Sequence, residues 1–313
     1  MSDVAGRKPG DSSRVHLSVP PRRRRRERLM KGVFLAAGLS SLLITAAIVL
    51  SLVGEAVNWL RKIELSQLWG GQGWLPLRDQ FDLKTLFVGT LEVTGIAMLI
   101  ATPLGLGAAV YLSEYARPRA RKLLKPILEI LAGIPSIVLG FFAIAWITPE
   151  IVKRLNADAT QFNILAAGLA VGILSTPLVA SVSEDAFRAV PQSLREASYG
   201  LGARRKTTSL RVVFPAAISG VTAAIILATS RAIGETMIVA VAAGGSNATP
   251  FNTDVFRPGQ TITGAMAALA TGGDAVAGDA RQSLFFLGLL LFFVTLLLNI
   301  VGDRVVARIR EKY

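Results

Sequence analysis

Two ionisable residues sit deep in an apolar stretch. The run AAISGVTAAIILATSRAIGETMIVAVAAG, long enough to cross a bilayer, carries Arg231 and, four positions on, Glu235. Arginine at the centre of a spanning helix costs about 3 kcal/mol on the lenient insertion scale, and ionisable groups at that depth mark substrate or ion paths. At about 100° per residue, Gly220, Ala224, Ala228 and Ala232 form a small-residue stripe suited to close helix contact, with Arg231 and Glu235 over it. Thr222, Ile226, Thr229, Ile233 and Ala240 lie broadly opposite, an acceptable lipid or protein face. The charged pair therefore points into a helix bundle or a water-filled path. Two roles stay open: an ion pair that satisfies itself and orients helices without stabilising them, or a planar donor fork offered to a tetrahedral oxyanion.

Little else in the chain has the make-up of a reaction centre. There is no cysteine, and the one histidine, His16, lies in a polar tail, so thiolate nucleophiles, disulfides, zinc sites and histidine acid–base pairs are excluded. No catalytic residue, metal ligand or cofactor site is expected. GLGARRKTTS superficially resembles a phosphate-cradling loop, but its lysine follows arginine and no strand precedes it. Any nucleotide energy must come from a partner chain.

The elements that must hold Arg231 follow from hydropathy. Of the 313 residues 52% are hydrophobic, aromatics are scarce and glycine is abundant, a membrane profile. Six runs of spanning length stand out: Gly32–Val53, Leu86–Leu112, Ile127–Ile147, Ile164–Val182, Ala216–Ala243 and Leu284–Val301. With the N-terminus inside, the cytoplasmic pieces hold 25 of the 34 Lys and Arg residues and the outer loops eight. The positive-inside rule then puts both termini in the cytoplasm and explains the net charge of +13 without a polyanionic partner. The arginine block Pro21–Lys31 reads as a topology signal or a contact with anionic membrane lipid, not a nucleic-acid arm. The run after it is too long, and lacks a cleavage site, for a signal peptide, and reads as an uncleaved anchor.

Pro103, Pro135 and Pro177 each fall within a span, where freed carbonyls must be satisfied inside the bundle. Glu129, close to the cytoplasmic end of the third run, either lies in the path or snorkels, and snorkelling is the favoured reading. Outside, LWGGQGWLP offers tryptophans to an interface, and ITGAMAALATGG is too short to span and reads as a re-entrant or amphipathic piece. The sequon Asn247-Ala248-Thr249 carries little weight.

The loop Ser183–Pro215 has its own pattern. Phe187, Val190, Leu194, Ala197 and Leu201 recur at spacings of three and four and share one helical face, with Gly200 and Gly202 as the stop. Such a short helix is marginal in water and needs a partner for that face, in this chain or in another subunit.

The pattern Glu196-Ala197-Ser198, Gly202, then Val212-Val213-Phe214-Pro215 resembles the EAA loop of bacterial ABC importer permeases, with serine for the second alanine and phenylalanine for leucine. In that family the loop forms a coupling helix seated in the ATPase subunit. GTLEVTGIAMLIATPLGLGAAVYLSEYA, EILAGIPSIVLGFFA and SRAIGETM narrow the resemblance to the permeases of phosphate-specific transport; GETM, PGQTITGAMAA and the long first outer loop favour the PstC-type. The arginine-rich tail is poorly matched.

The resemblance implies an all-α polytopic membrane protein with the type I ABC permease fold: a basic tail, residues 1–31, and a permease domain, 32–313, carrying the coupling loop 183–215. It implies a phosphate path at Arg231 and Glu235, with Glu235 holding Arg231 when no anion is bound. It also implies ATPase coupling through Glu196, Ala197, Ser198 and Gly202. The implied partners are a PstA-type permease, ATP-binding subunits and an extracytoplasmic phosphate-binding protein. A permease for another oxyanion, such as molybdate, sulfate or phosphonate, is the nearest alternative. A channel or lone transporter would need a filter or internal repeats, which are absent from the sequence. A membrane scaffold would have no use for the charged pair.

Overall fold

The computed structural model describes residues 21–244, 251–273 and 276–309. The tail with His16 and the Asn247 sequon lie outside these residues. The chain divides into two units, residues 1–51 and 52–313. The first contains most of α1 (Pro21–Leu60), an uninterrupted helix; everything that follows belongs to the second.

The second unit is helical, as a chain crossing lipid must be if its backbone groups are to be satisfied internally. Its helices are α2 (Leu83–Tyr115), α3 (Pro118–Ala132), α4 (Ser136–Leu155), α5 (Ile164–Ala189), α6 (Gln192–Gly200), α7 (Arg205–Ala216), α8 (Ile218–Ile233), α9 (Met237–Ala242), α10 (Ile262–Thr271) and α11 (Gly278–Ile309). Among the described residues five helices have spanning length and composition, α1, α2, α4, α5 and α11. The pair α7 and α8, bent by 69° at Ala217, makes a sixth if taken as one span.

Two expected spans are divided. The run Ile127–Ile147 breaks at Gly133–Pro135: Pro135 has no N–H to donate, disfavours helical backbone at Ile134 and begins α4 as its cap. The upstream part is α3, amphipathic and without a buried residue, and α4 regains spanning length by extending through residues 148–155, expected to be loop. The run Ala216–Ala243 likewise stops at Ile233, and Gly234, Glu235 and Thr236 separate α8 from α9. By contrast, Pro103 and Pro177 sit inside unbroken helices.

The core of this unit is the α2–α5 contact, which glycine makes possible. A Cβ on Gly168 would lie 2.7 Å from Ile96 Cβ, and one on Gly105 would lie 2.6 Å from Val179 Cβ, so the backbones approach as small-residue interfaces allow. Asn163 starts α5 by accepting the Ala166 N–H at 2.7 Å. Ala224, Ala228 and Ala232 of α8 are buried, as the stripe predicts, but Ile233 on the supposed outer face is buried too. Ile226 on that face abuts α11 at Gly302.

At the other end of the bundle Trp59, Trp74, Phe81 and Phe286 form an aromatic cluster with ring centroids 4.7–5.9 Å apart. Trp74 is therefore a core residue, not the interfacial anchor expected of it; of the two tryptophans of that motif only Trp69 is exposed. Gln260 holds the loop by accepting the Trp74 N–H at 2.8 Å. The short helix α10 starts at Thr261, whose hydroxyl accepts the Gly264 N–H.

Candidate functional site: a charged cavity and a projecting helix

Arg231 occupies the last turn of α8 and is exposed in the isolated chain. Its guanidinium forms no hydrogen bond or ion pair among the described residues. The expected pairing with Glu235 is not formed, for a backbone reason. The helix ends between them, so the one-turn spacing that would stack the two side chains is lost. Glu235 is occupied locally: its Oε1 accepts the Ile238 N–H at 3.4 Å, and its carbonyl accepts the Thr263 hydroxyl at 2.7 Å. It braces the α8–α9 break against α10.

Arg231 instead borders a cavity of about 210 Å³ between α3, α5 and α8. Lys125 and Glu129 of α3 and Ser181 and Glu184 of α5 contribute its polar wall, and Leu128, Ala132, Leu174, Pro177 and Leu178 its apolar one. Glu129, for which snorkelling is the favoured of two expectations, thus borders the same space as Arg231.

Glu184 is the most buried acid there, at 1% exposure. Lys125 Nζ, Arg188 Nη1 and Arg121 Nε surround it at 3.6, 3.7 and 3.8 Å, distances that balance its charge without making hydrogen bonds. Its Oε1 has no hydrogen-bond partner. Sequence reasoning missed Glu184; the signal was an acid immediately beyond the apolar run Ile164–Val182.

The second constellation is built around α6. The expected continuous face from Phe187 to Leu201 is cut at Val190–Pro191: Phe187 and Val190 are buried with α5, and Leu194 only partly. Ala197 is exposed and Leu201 is 90% exposed, so the distal half of that face lacks a partner among the described residues. Glu196 is exposed as well, and Ser198 Oγ meets Thr208 Oγ1 at 2.9 Å.

Gly202, at φ +79°, closes the helix: its N–H reaches Tyr199 O at 2.9 Å and the Ala203 N–H reaches Ser198 O at 3.1 Å, the Schellman pattern. A Cβ there would meet nothing within 4 Å, so backbone conformation, not a close contact inside the chain, requires glycine.

Sequence reasoning also passed over what fastens α6. Arg195 donates to Glu114 Oε1 at 3.0 Å, to Phe187 O at 2.8 Å and to Val190 O at 2.6 Å, joining α6 to the ends of α2 and α5. Both side chains of the pair are largely buried. Arg121 caps the end of α2 by donating to the Leu112 and Ser113 carbonyls.

Apolar helices of spanning length, a charged recess between α3, α5 and α8, and a short tethered helix with an exposed face, with no constellation for covalent chemistry among the described residues, fit a membrane transport subunit. The family model for the binding-protein-dependent transport system inner membrane component matches residues 101–312. A phosphate transport system permease protein PstC of Mesorhizobium japonicum is 30% identical over 292 residues, 88% of each chain. A PstA 1 permease of Mycobacterium tuberculosis is 38% identical over 187 residues, 59% of this chain and 58% of that protein. A bacterial alginate ABC transporter, solved in complex with an alginate pentasaccharide-bound periplasmic protein, shares the fold. Its TM-score is 0.63 at 13% identity, covering 92% of this chain and 97% of that one.

The chain belongs to this family of inner-membrane ABC importer permeases, in its PstC-type branch. It is a multi-pass membrane transport subunit and not an enzyme; ATP hydrolysis resides in a separate subunit of such systems.

Proposed function

We propose that the chain is one of two permease subunits of a phosphate importer, paired with a PstA-type permease. An extracytoplasmic phosphate-binding protein delivers the anion, and ATP-binding subunits dock on α6 through Glu196, Ala197, Ser198 and Gly202. Residues 32–313 form the permease domain; the tail 1–31 and both termini are cytoplasmic, in keeping with the Lys and Arg asymmetry. The observation that carries the reading is the uncommitted guanidinium of Arg231 at the end of an apolar helix, beside a cavity, in a chain related to phosphate permeases. Arg231 presents its donor fork to the passing anion, and Glu235, engaged by α9 and α10, fixes the turn from which Arg231 projects. The exposed Leu201 and Ala197 support docking of α6 by another subunit.

The test is counterflow of labelled phosphate in proteoliposomes holding the complete complex. Arg231→Met is expected to assemble and retain ATPase activity while transport falls at least about a hundredfold, the scale of a lost bidentate charged contact. Arg231→Lys is impaired as well, since a point ammonium lacks the fork. Wild-type transport by Arg231→Met at normal expression would reduce Arg231 to a packing residue.

A further inference from the structure

Beside α6 lies an open recess of about 580 Å³ that shares no lining residue with the cavity at Arg231. Its wall carries four guanidinium groups, Arg121 of α3, Arg188 of α5, Arg195 of α6 and Arg205 of α7, against one carboxylate, Glu114. Glu184, which Arg121 and Arg188 flank at 3.8 and 3.7 Å, is buried and does not line the recess. Setting both carboxylates against the four arginines leaves two positive charges unmatched.

The four arginines differ in what they can still offer. Arg195 is engaged by Glu114 and two carbonyls, and Arg121 by the end of α2. Arg188, half-exposed, makes no hydrogen bond among the described residues, since Glu184 at 3.7 Å is beyond reach of one. Arg205 meets only the face of Tyr115 among those residues, 5.2 Å from the ring centroid, a contact that leaves the N–H edges of its fork free. Two uncommitted forks thus converge where positive charge is in excess. A phosphate group calls for this combination, charge-assisted donors from more than one guanidinium. The loop GLGARRKTTS, which lacks the make-up of a nucleotide loop, supplies one of the forks through a side chain.

We propose that this recess is a binding site for a phosphate group held by Arg188 and Arg205, carried either by free phosphate or by the headgroup of an anionic lipid at the end of α2. Arg121 and Arg195 add charge and keep the wall in shape. Arg188 lies in the last turn of α5 and Arg205 begins α7, so a ligand on both spans the two attachments of α6. The site stands whether or not Arg231 handles a transported anion.

The chain has no cysteine, so Ser113→Cys places a unique thiol on the wall. The complete complex, with cysteine-free partner chains and no nucleotide, is held in phosphatidylcholine nanodiscs, and labelling by a neutral maleimide is followed as inorganic phosphate replaces chloride at constant ionic strength. The rate is expected to halve at about millimolar phosphate, the scale of two charge-assisted contacts. Arg205→Ala and Arg188→Ala should each raise that concentration about tenfold or more, and Arg231→Met should leave it unchanged. If the lipid headgroup is the occupant, phosphatidylglycerol discs give the same Arg205-dependent protection with no phosphate added. Gln192→Cys, on the same wall, is the reporter if Ser113→Cys does not assemble.

Absence of protection in both kinds of disc overturns the inference. So does protection that persists when Arg188 and Arg205 are both alanine, because the forks are then not the ligands, and so does protection lost with Arg231→Met, which assigns the anion to the other cavity. A thiol already unreactive in phosphatidylcholine before phosphate is added overturns it as well, since a partner chain then fills the recess.

Discussion

Arg195 does the work of three separate contacts with one side chain. Its fork closes on a carboxylate at the end of α2 and on two carbonyls at the end of α5, so α6 cannot shift without disturbing both helices. Removing one member of such a pair leaves a buried charge uncompensated, at about 3–5 kcal/mol. Glu114→Ala is therefore expected to loosen α6, seen as faster protease cleavage between Ala189 and Gly202, and to release ATP hydrolysis from its dependence on loaded binding protein. Arg195→Lys should not restore coupling, because an ammonium cannot span the three acceptors. At Gly202 the expected cost is conformational: Gly202→Ala should lower stability by about 1 kcal/mol, measured by thermal melting of the complex. Beyond that backbone cost, a bulky residue there interferes only if another subunit fills the open space beside it.

At the scale of helices, close approach is the sensitive variable. Gly168→Val would drive a side chain into Ile96 and towards the Val93 carbonyl, and overpacking of this kind costs about 1–3 kcal/mol; a reduced melting temperature in detergent, with unchanged helix content, is the expected readout. The sequence made the existence of the spanning segments legible because a bilayer demands long apolar runs. Their interruptions were less so. Hydropathy runs unbroken across Gly133–Pro135 and across Gly234–Thr236, whereas the backbone responds to a missing N–H in one case and to local side-chain bonds of Glu235 and Thr263 in the other. The Arg231–Glu235 pair failed for the same reason: helical spacing was extrapolated through a helix end. The tie between Glu114 and Arg195, 81 positions apart, depends on how α2 and α5 pack, which no local pattern encodes.

For the whole molecule, orientation follows from charge. Cysteine introduced at Asn252 should react with an impermeant thiol reagent in spheroplasts and cysteine at Arg205 should not; the opposite pattern would invert every assignment of loops to partners. Overall composition, span count and the sign of this asymmetry were readable because each sums over many residues. The surfaces at Leu201 and along α3 could not be assigned in advance, since their burial depends on lipid and on chains other than this one.

The aromatic cluster at the far end of the bundle has an optical consequence. Trp59 and Trp74 are shielded and 5.9 Å apart between centroids, whereas Trp69 and Trp146 are open to their surroundings. The inner two should emit at short wavelength, resist acrylamide, and give an asymmetric near-ultraviolet dichroic band that Trp69, with no ring partner among the described residues, lacks. Phe286, at 4.7 Å from Trp59, completes the packing, so Phe286→Ala should weaken that band while leaving far-ultraviolet signals intact. Any docking event that rotates α11 against the first loop is thereby written into the protein's own absorption and emission, with no dye attached.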